Sequence, residues 1–278
     1  MQINADLHCH STVSDGWLTP TDVVRRAAAN SVALLALTDH DEVGGIDEAC
    51  GEALRLGVRL LPGVEISVTF LKETVHVVGL GIDHRDRQLL EGLESVRSGR
   101  VQRARKMSAA LDAAGIHGTF EGASRLARNP AMVGRAHFAR YIVSTGLMPD
   151  VSTVFQYYLA RGKPGYVEHE WASLDDAVRW IRGAGGVAVL AHPARYRLST
   201  DELHRLLDRF VACGGEGIEV VAGAHTEAET VKFAAIARRW GLLASRASDF
   251  HGEGESSVDL GRSSNLPPDL TPVWTRFV

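Results

Sequence analysis

The chain has 278 residues, 45% hydrophobic and 23% charged, with a formal net charge of -4. That is the make-up of an ordinary soluble globular protein, long enough for one large domain or one domain with an insert, and for a substantial core without staples. The charge provides no global basic field to draw the chain to nucleic acid or membrane. Three scattered cysteines, Cys9, Cys50 and Cys213, argue against a disulfide framework and for a reducing cytoplasm.

The opening residues hold no signal peptide, and no apolar run approaches the ~20 residues a membrane helix needs. The first predicted strand covers residues 3–10. Its period of two places His8 and His10 on one face and Cys9 on the other, core-facing side. Two imidazoles side by side at a strand end can grip one metal ion. Ser14-Asp15-Gly16 follows, a turn signal carrying a carboxylate. Thr19 as N-cap and Pro20 at the first helical position open a helix to about Asn30. The unbroken apolar run 31–37 reads as a strand buried on both faces, as in a parallel sheet, and it ends in Thr38-Asp39-His40-Asp41. A helix over 45–56 is closed by Gly57. Strands over 58–68, carrying Glu65, and 74–82, carrying His76, are joined by a link short enough for a hairpin.

Residues 84–168 differ in character. Helices are predicted over 88–96, 101–114, 120–127, 135–144 and 154–160, with no strand between them. This stretch reads as a helical insert or cap between two barrel segments, 1–83 and 169–278. It holds a basic cluster of Arg97, Arg100, Arg103, Arg105 and Lys106, with Arg125, Arg128 and Arg135 further on. The α/β rhythm then returns. A helix starts at Ser173, a strand over 186–191 ends in His192-Pro193, and Ser199 with Glu202 forms a capping box. A strand over 217–221 carries Glu219, a helix covers 226–240, and a last strand over 242–248 ends in Asp249-Phe250-His251-Gly252. About seven strands interleaved with helices argue for an irregular parallel α/β barrel with an inserted helical subdomain.

Such a barrel brings its strand C-termini to one mouth. His8, His10, Asp15, His40, Glu65, His76, His192, Asp249 and His251 would meet there. So many imidazoles and carboxylates need cations, and they suffice for about three sites of three or four ligands each. Glu65 can bridge two ions through its two oxygens. The all-nitrogen-and-oxygen donor set suits divalent manganese first, then iron or zinc, rather than copper(I) or calcium. His84, His117, His169, His204 and His225 lie in helices or loops and read as local hydrogen bonders. Asp6 shares a face with His8 and reads as a supporting residue. Asp39 and Asp41 read as loop acids, and mid-strand Glu219 is left open between roles.

Five segments carry a family resemblance: Asp6-Leu7-His8-Cys9-His10-Ser11-Thr12-Val13-Ser14-Asp15-Gly16, Leu37-Thr38-Asp39-His40-Asp41, Gly63-Val64-Glu65-Ile66-Ser67, Ala191-His192-Pro193 and Ser248-Asp249-Phe250-His251-Gly252. In this order they resemble the motifs of the PHP (polymerase and histidinol phosphatase) phosphoesterase superfamily. The resemblance implies a distorted (β/α)7 TIM-like barrel around a trinuclear metal centre. It implies His8, His10, Glu65 and Asp249 on the first ion, Glu65, His76 and His192 on the second, and Asp15, His40 and His251 on the third. It also implies that a metal-bridging hydroxide held by Glu65, His76 and His192 is the nucleophile. Asp15 and the insert segment Gly134-Arg135-Ala136-His137 are most similar to nucleoside 3',5'-bisphosphate phosphatases, whose relatives trim short RNA from the 5' end. The implied activity is that of a metal-dependent phosphoric monoester hydrolase, removing the 3'-phosphate to give nucleoside 5'-monophosphate.

Arg135 and His137 are the expected grips on the substrate phosphates, with His137 also a candidate acid for the leaving oxygen. Arg100, Arg103 and Lys106 are candidates for the remote 5'-phosphate. The expected partner is a small nucleotide bisphosphate or short RNA, with no membrane and no obligate protein partner. The competing readings are a 5'-3' exoribonuclease on short 5'-phosphorylated oligonucleotides and a non-catalytic polymerase-associated module. Histidinol phosphate hydrolysis is disfavoured, because the insert offers a basic lining for an amine.

Overall fold

The computed structural model describes residues 3–277. In chain order its elements are β1 (Ala5–Asp6), α1 (Pro20–Ala29), β2 (Leu34–Leu37), α2 (Ile46–Leu56), β3 (Arg59–Phe70), β4 (Glu73–Leu80), α3 (Arg87–Ser98), α4 (Arg100–Ala113), α5 (Thr119–Leu126), α6 (Arg135–Ser144), α7 (Val151–Val154), α8 (Leu174–Gly183), β5 (Val187–Leu190), α9 (Thr200–Ala212), β6 (Gly217–Val221), α10 (Glu227–Trp240) and β7 (Leu243–Arg246). The seven strands form one sheet in sequence order. Leu7 N donates to Arg246 O, Asp249 N to His8 O and His10 N to Phe250 O, so the first and last strands meet and the sheet curls into a barrel.

Local chemistry explains the elements. All four residues of β2 and of β5 are buried and apolar, as strands covered on both faces must be. Thr19, Ser173, Ser199 and Thr226 each accept a hydrogen bond from the first turn of the helix they open. Gly57 and Gly241 close α2 and α10 in the left-handed conformation.

Three expectations are corrected here. The barrel is not uniformly parallel, because β4 runs antiparallel to both β3 and β5. The tight link after Phe70 turns the chain straight back. His76 therefore reaches the mouth from the N-terminal half of its strand, opposite Ser67. The first strand is also far shorter than 3–10: only Ala5–Asp6 is regular. Beyond it the partner segment bends at Asp249, whose φ is 54°, and the ladder gives way to single bonds. The helix expected over 154–160 is instead α7 running into a π-helical turn, Phe155–Leu159.

The segment between β4 and β5 has two kinds of packing. Leu89 and Leu93 of α3 belong to the barrel's core cluster, whereas Leu111, Phe138, Ile142, Val154 and Leu159 form a separate buried cluster of their own. The barrel closure has its own fastening. The buried Asp6 carboxylate accepts from Ser248 N at 2.9 Å and Gly261 N at 2.7 Å, so it holds the seam rather than the site. Leaving both buried N–H groups unpaired costs about 1–3 kcal/mol each. Asp6→Ala is therefore expected to lower unfolding free energy by about 2–5 kcal/mol in urea titration; a change under about 0.5 kcal/mol would show that the seam does not depend on it.

Candidate metal centre

The donors named from the sequence converge. Residues 7–10 lie between the segments around Thr38 and Phe250, and Thr38 N donates to Cys9 O. That pairing directs His8 and His10 inward, with their Nε2 atoms 3.1 Å apart, while Cys9 packs into the opposite cluster with Val23, Leu35 and Phe250. Glu65 lies on β3, where His40 bridges to it. Its Oε1 is 2.7 Å from His76 Nδ1, 2.9 Å from His192 Nε2 and 3.3 Å from His8 Nε2. Its Oε2 is 2.7 Å from His40 Nδ1 and 3.4 Å from His10 Nε2. Asp249 Oδ1 is 3.2 Å from His10 Nε2 and 3.5 Å from His8 Nε2. His251 Nε2 and Asp15 Oδ1 lie 3.5 Å apart.

Four sets of donor atoms each fall within a 4.8 Å span: His10, Asp15, His40 and His251; His8, His10 and Asp249; His8, Glu65 and His192; and His40, Glu65 and His76. Each set is a size and chemistry that one divalent cation accepts. The backbone is bent where these donors leave the sheet. Asp41, His192 and Asp249 all have positive φ, at 48°, 23° and 54°, a conformation non-glycine residues adopt at a cost and keep where the surroundings enforce it.

The electrostatics match a cation site. Burial raises the pKa of Glu65 and of Asp249. Surrounding imidazoles, and for Asp249 first the guanidinium of Arg195, outweigh that and hold both carboxyls well below their ordinary range. Burial presses His10 down to about 3, with His251 and His40 adding to the effect. Burial likewise presses His76 down to about 4 despite Glu65. His40 is also pressed down by burial, but Glu65 and Asp15 override this and raise it to about 9. Several buried polar atoms form no hydrogen bond, among them His10 Nδ1 and His192 Nδ1, while Glu65 Oε2 and both carboxylate oxygens of Asp249 have only imidazole or guanidinium nitrogens at ion-pair distance. Buried lone pairs left without donors are costly, and cations would satisfy them. The residues present therefore fit divalent metal.

Glu219 is resolved by its environment. It lies on β6 opposite Ser245, just before a bulge at Glu219/Val221, and is fully buried. Its Oε1 lies 2.7 Å from His8 Nδ1, and its Oε2 accepts from His192 N at 2.6 Å. Glu219 therefore holds two candidate ligands in orientation from behind. Asp39 is not an idle loop acid either. It accepts from Ser11 N, Ser11 Oγ and Ser14 Oγ at 2.8, 2.6 and 2.5 Å and so ties down the loop bearing Asp15. Asp41 accepts from Ser67 N and Ser67 Oγ and pairs with Arg100.

The cluster opens into a cavity of about 600 Å³, whose lining includes Arg100, Arg103, Arg135, Arg161, Arg195 and Tyr166. Two expected substrate contacts are corrected. His137 is buried and does not line this cavity. Its Nδ1 accepts from Gly134 N at 3.2 Å, capping α6, and burial lowers its pKa to about 4, which disfavours the imidazolium form a general acid would use. Lys106 is exposed and also outside the lining. Arg195 was missed. Its Nη1 lies 2.5 Å from Asp249 Oδ2. The available signal was an arginine two places past Ala191-His192-Pro193, just beyond a strand end.

The PHP domain family matches residues 6–187. The chain belongs to the PHP family. Among its relatives, a 3',5'-nucleoside bisphosphate phosphatase of Chromobacterium violaceum is 55% identical over 271 residues, 98% of this chain and 95% of the relative. The 5'-3' exoribonuclease Rnm of Escherichia coli is 43% identical over 271 residues, 97% of this chain and 92% of the relative. The solved structure of an amidohydrolase from Chromobacterium violaceum, with bound sulfate and no metal, superposes with a TM-score of 0.96 at 54% identity, covering 98% of this chain and 95% of that one. PHP phosphoesterases are metal-dependent, and the clustered donors of this PHP barrel agree with that dependence.

If Glu219 orients His8 and His192, Glu219→Ala should weaken divalent-cation binding about 10- to 100-fold in calorimetric titration, with Glu219→Gln less affected. Unchanged affinity in the Ala variant would rule the orienting role out.

Proposed function

We propose that this chain removes the 3'-phosphate of nucleoside 3',5'-bisphosphates, leaving the 5'-monophosphate and inorganic phosphate. The observation that carries the reading is that seven of the nine donors line one cavity together with the buried Arg100 and Arg103 and the half-buried Arg135. Burial, then the neighbouring Arg135 and Arg100, lowers the Arg103 pKa to about 9, and burial lowers Arg135 as well. Among the described residues neither Arg103 nor Arg135 has a carboxylate partner in an ion pair. Buried guanidinium groups without counter-ions are anion sites in waiting. A substrate with two phosphates joined through one ribose matches a cavity charged in this way.

The cation ligands in this reading are His8, His10, Asp15, His40, Glu65, His76, His192, Asp249 and His251, with manganese the best match and about three ions held. Bound divalent cations supply a water of lowered pKa and neutralise phosphoryl charge. The chain's own contribution is positional. Arg103 and Arg135 grip the remote 5'-phosphate and fix the ribose, so that the 3'-phosphate is directed to the mouth where Glu65 and Asp249 would hold cations. Glu219 keeps the imidazoles of His8 and His192 aimed. Residues 84–168 act as a cap over the mouth, rooted in the barrel core by α3.

A second reading uses the same pocket. An exoribonuclease also needs a 5'-phosphate held at a fixed distance from the attacked phosphorus, and the Escherichia coli relative bears that name. The chain is proposed to work in the cytoplasm without an obligate protein partner. Its cysteines are free, and no helix among the described residues is long and apolar enough to cross a membrane.

Incubation with adenosine 3',5'-bisphosphate and manganese is expected to release phosphate. Chelation should stop the release, and added manganese should restore it. A 5'-phosphorylated dinucleotide, scored for mononucleotide release, separates the two readings. Arg135→Ala should raise KM for the bisphosphate about 10- to 100-fold, the worth of a charge-assisted hydrogen bond, and change an aryl phosphate much less. Equal loss on both substrates would remove Arg135 from the remote-phosphate grip.

A further inference from the structure

Arg140 lies on α6, the helix that also carries Arg135, but it serves a different surface. Its side chain is buried at the seam between the helical segment and the barrel. Nε donates to Glu255 Oε1 at 2.8 Å, and Nη2 donates to Glu255 Oε2 at 2.7 Å and to Asp15 O at 2.6 Å. The guanidinium lies 4.7 Å from the centre of the Trp17 ring, and Trp17 Nε1 donates to the same Glu255 oxygen at 2.7 Å. Trp17 N in turn donates to His251 O at 2.7 Å, and His251 N to Ser256 Oγ at 2.7 Å. Gly252 is required beneath this stack, since a Cβ there would sit 2.3 Å from Trp17 Cδ1. One arginine thus joins α6 to two loops: the one carrying Asp15 and the one carrying His251.

Those two loop residues are half of the donor set His10, Asp15, His40 and His251. The other half has sheet support: His10 N is bonded to Phe250 O, and His40 bridges to Glu65. Asp15 and His251 lie outside any strand and have no ladder to fix them. Asp39 holds Ser11 and Ser14 of the first loop to the barrel, and the fork of three hydrogen bonds from the buried, permanently charged Arg140 ties both loops to α6.

We infer that Arg140 is a positioning residue. Through Glu255 and Trp17 it sets the spacing of Asp15 and His251, so that the outermost cation site is complete only when α6 is seated on the barrel. The inference rests on the cation reading above. It makes one cation of the set, and not the others, answerable to the cap. Because α6 also carries Arg135, the helix that grips the substrate would build part of the metal site.

The test is manganese titration of the purified full-length chain, with free ion counted by electron paramagnetic resonance. In Arg140→Met one class of site is expected to weaken about 10- to 100-fold, the usual effect of losing an outer-shell contact, with the remaining sites unchanged. Glu255→Gln, which keeps the arginine and nearly the same volume, should weaken the same class. It decides by the same criterion if the Met variant does not fold. A general loosening of the fold would instead weaken every class together, and that result counts against the inference. Wild-type uptake with unaltered binding in both variants overturns the inference alone. A wild-type chain that takes up no manganese overturns the cation reading and the inference with it.

Discussion

Glu65 is the constraint around which the molecule is built. It is fully buried, and five imidazoles, from His8, His10, His40, His76 and His192, lie within 3.4 Å of its carboxylate. A carboxylate removed from water in this way must be surrounded by donors or cations, or the fold loses several kcal/mol. Each of those imidazoles comes from a different region of the chain except the first two. Satisfying one charge therefore requires the N-terminal segment, the loop after β2, the β4 hairpin and the end of β5 to arrive together.

Much of this was legible in the sequence, for a physical reason. A strand alternates faces whatever surrounds it, so His8 and His10 had to share a side. A buried parallel strand ends where polar residues begin, which marked His40 and His192. What the sequence did not disclose was direction and depth. The short link before β4 allowed a hairpin, and the structure has one, but the expectation of strand C-termini meeting at one mouth did not carry that reversal through to His76. A glutamate in mid-strand reads the same whether it faces a site or a partner, and only the contacts with His8 and His192 commit Glu219. His137 sits in a motif that suggests chemistry, yet its ring is used on its own helix. Arg140, Arg195 and Glu255 act across loops far apart in sequence, and no short motif encodes such a meeting.

The helical segment is bound to the barrel by charge as well as by packing. Arg97 donates to Asp41 O at 2.7 Å, Arg100 pairs with Asp41 itself, and Arg140 reaches Asp15 O and Glu255. Each anchor falls within one or two residues of a donor in the cation cluster or in the loop bearing one. The basic run that stood out in the sequence is therefore divided. Arg97 and Arg100 are fasteners, Arg103 lines the cavity, and Lys106 faces water.

The closing seam has a consequence for biosynthesis. His8 and His10 are made well before the backbone groups at Arg246, Asp249 and Phe250 that close the seam around them. Contacts so distant in sequence form late and slowly. The nascent chain must therefore carry these imidazoles supported only on the Thr38 side until the last strand is made. A message truncated before the final strand would yield a polypeptide with many of the ligand residues and no place to assemble them.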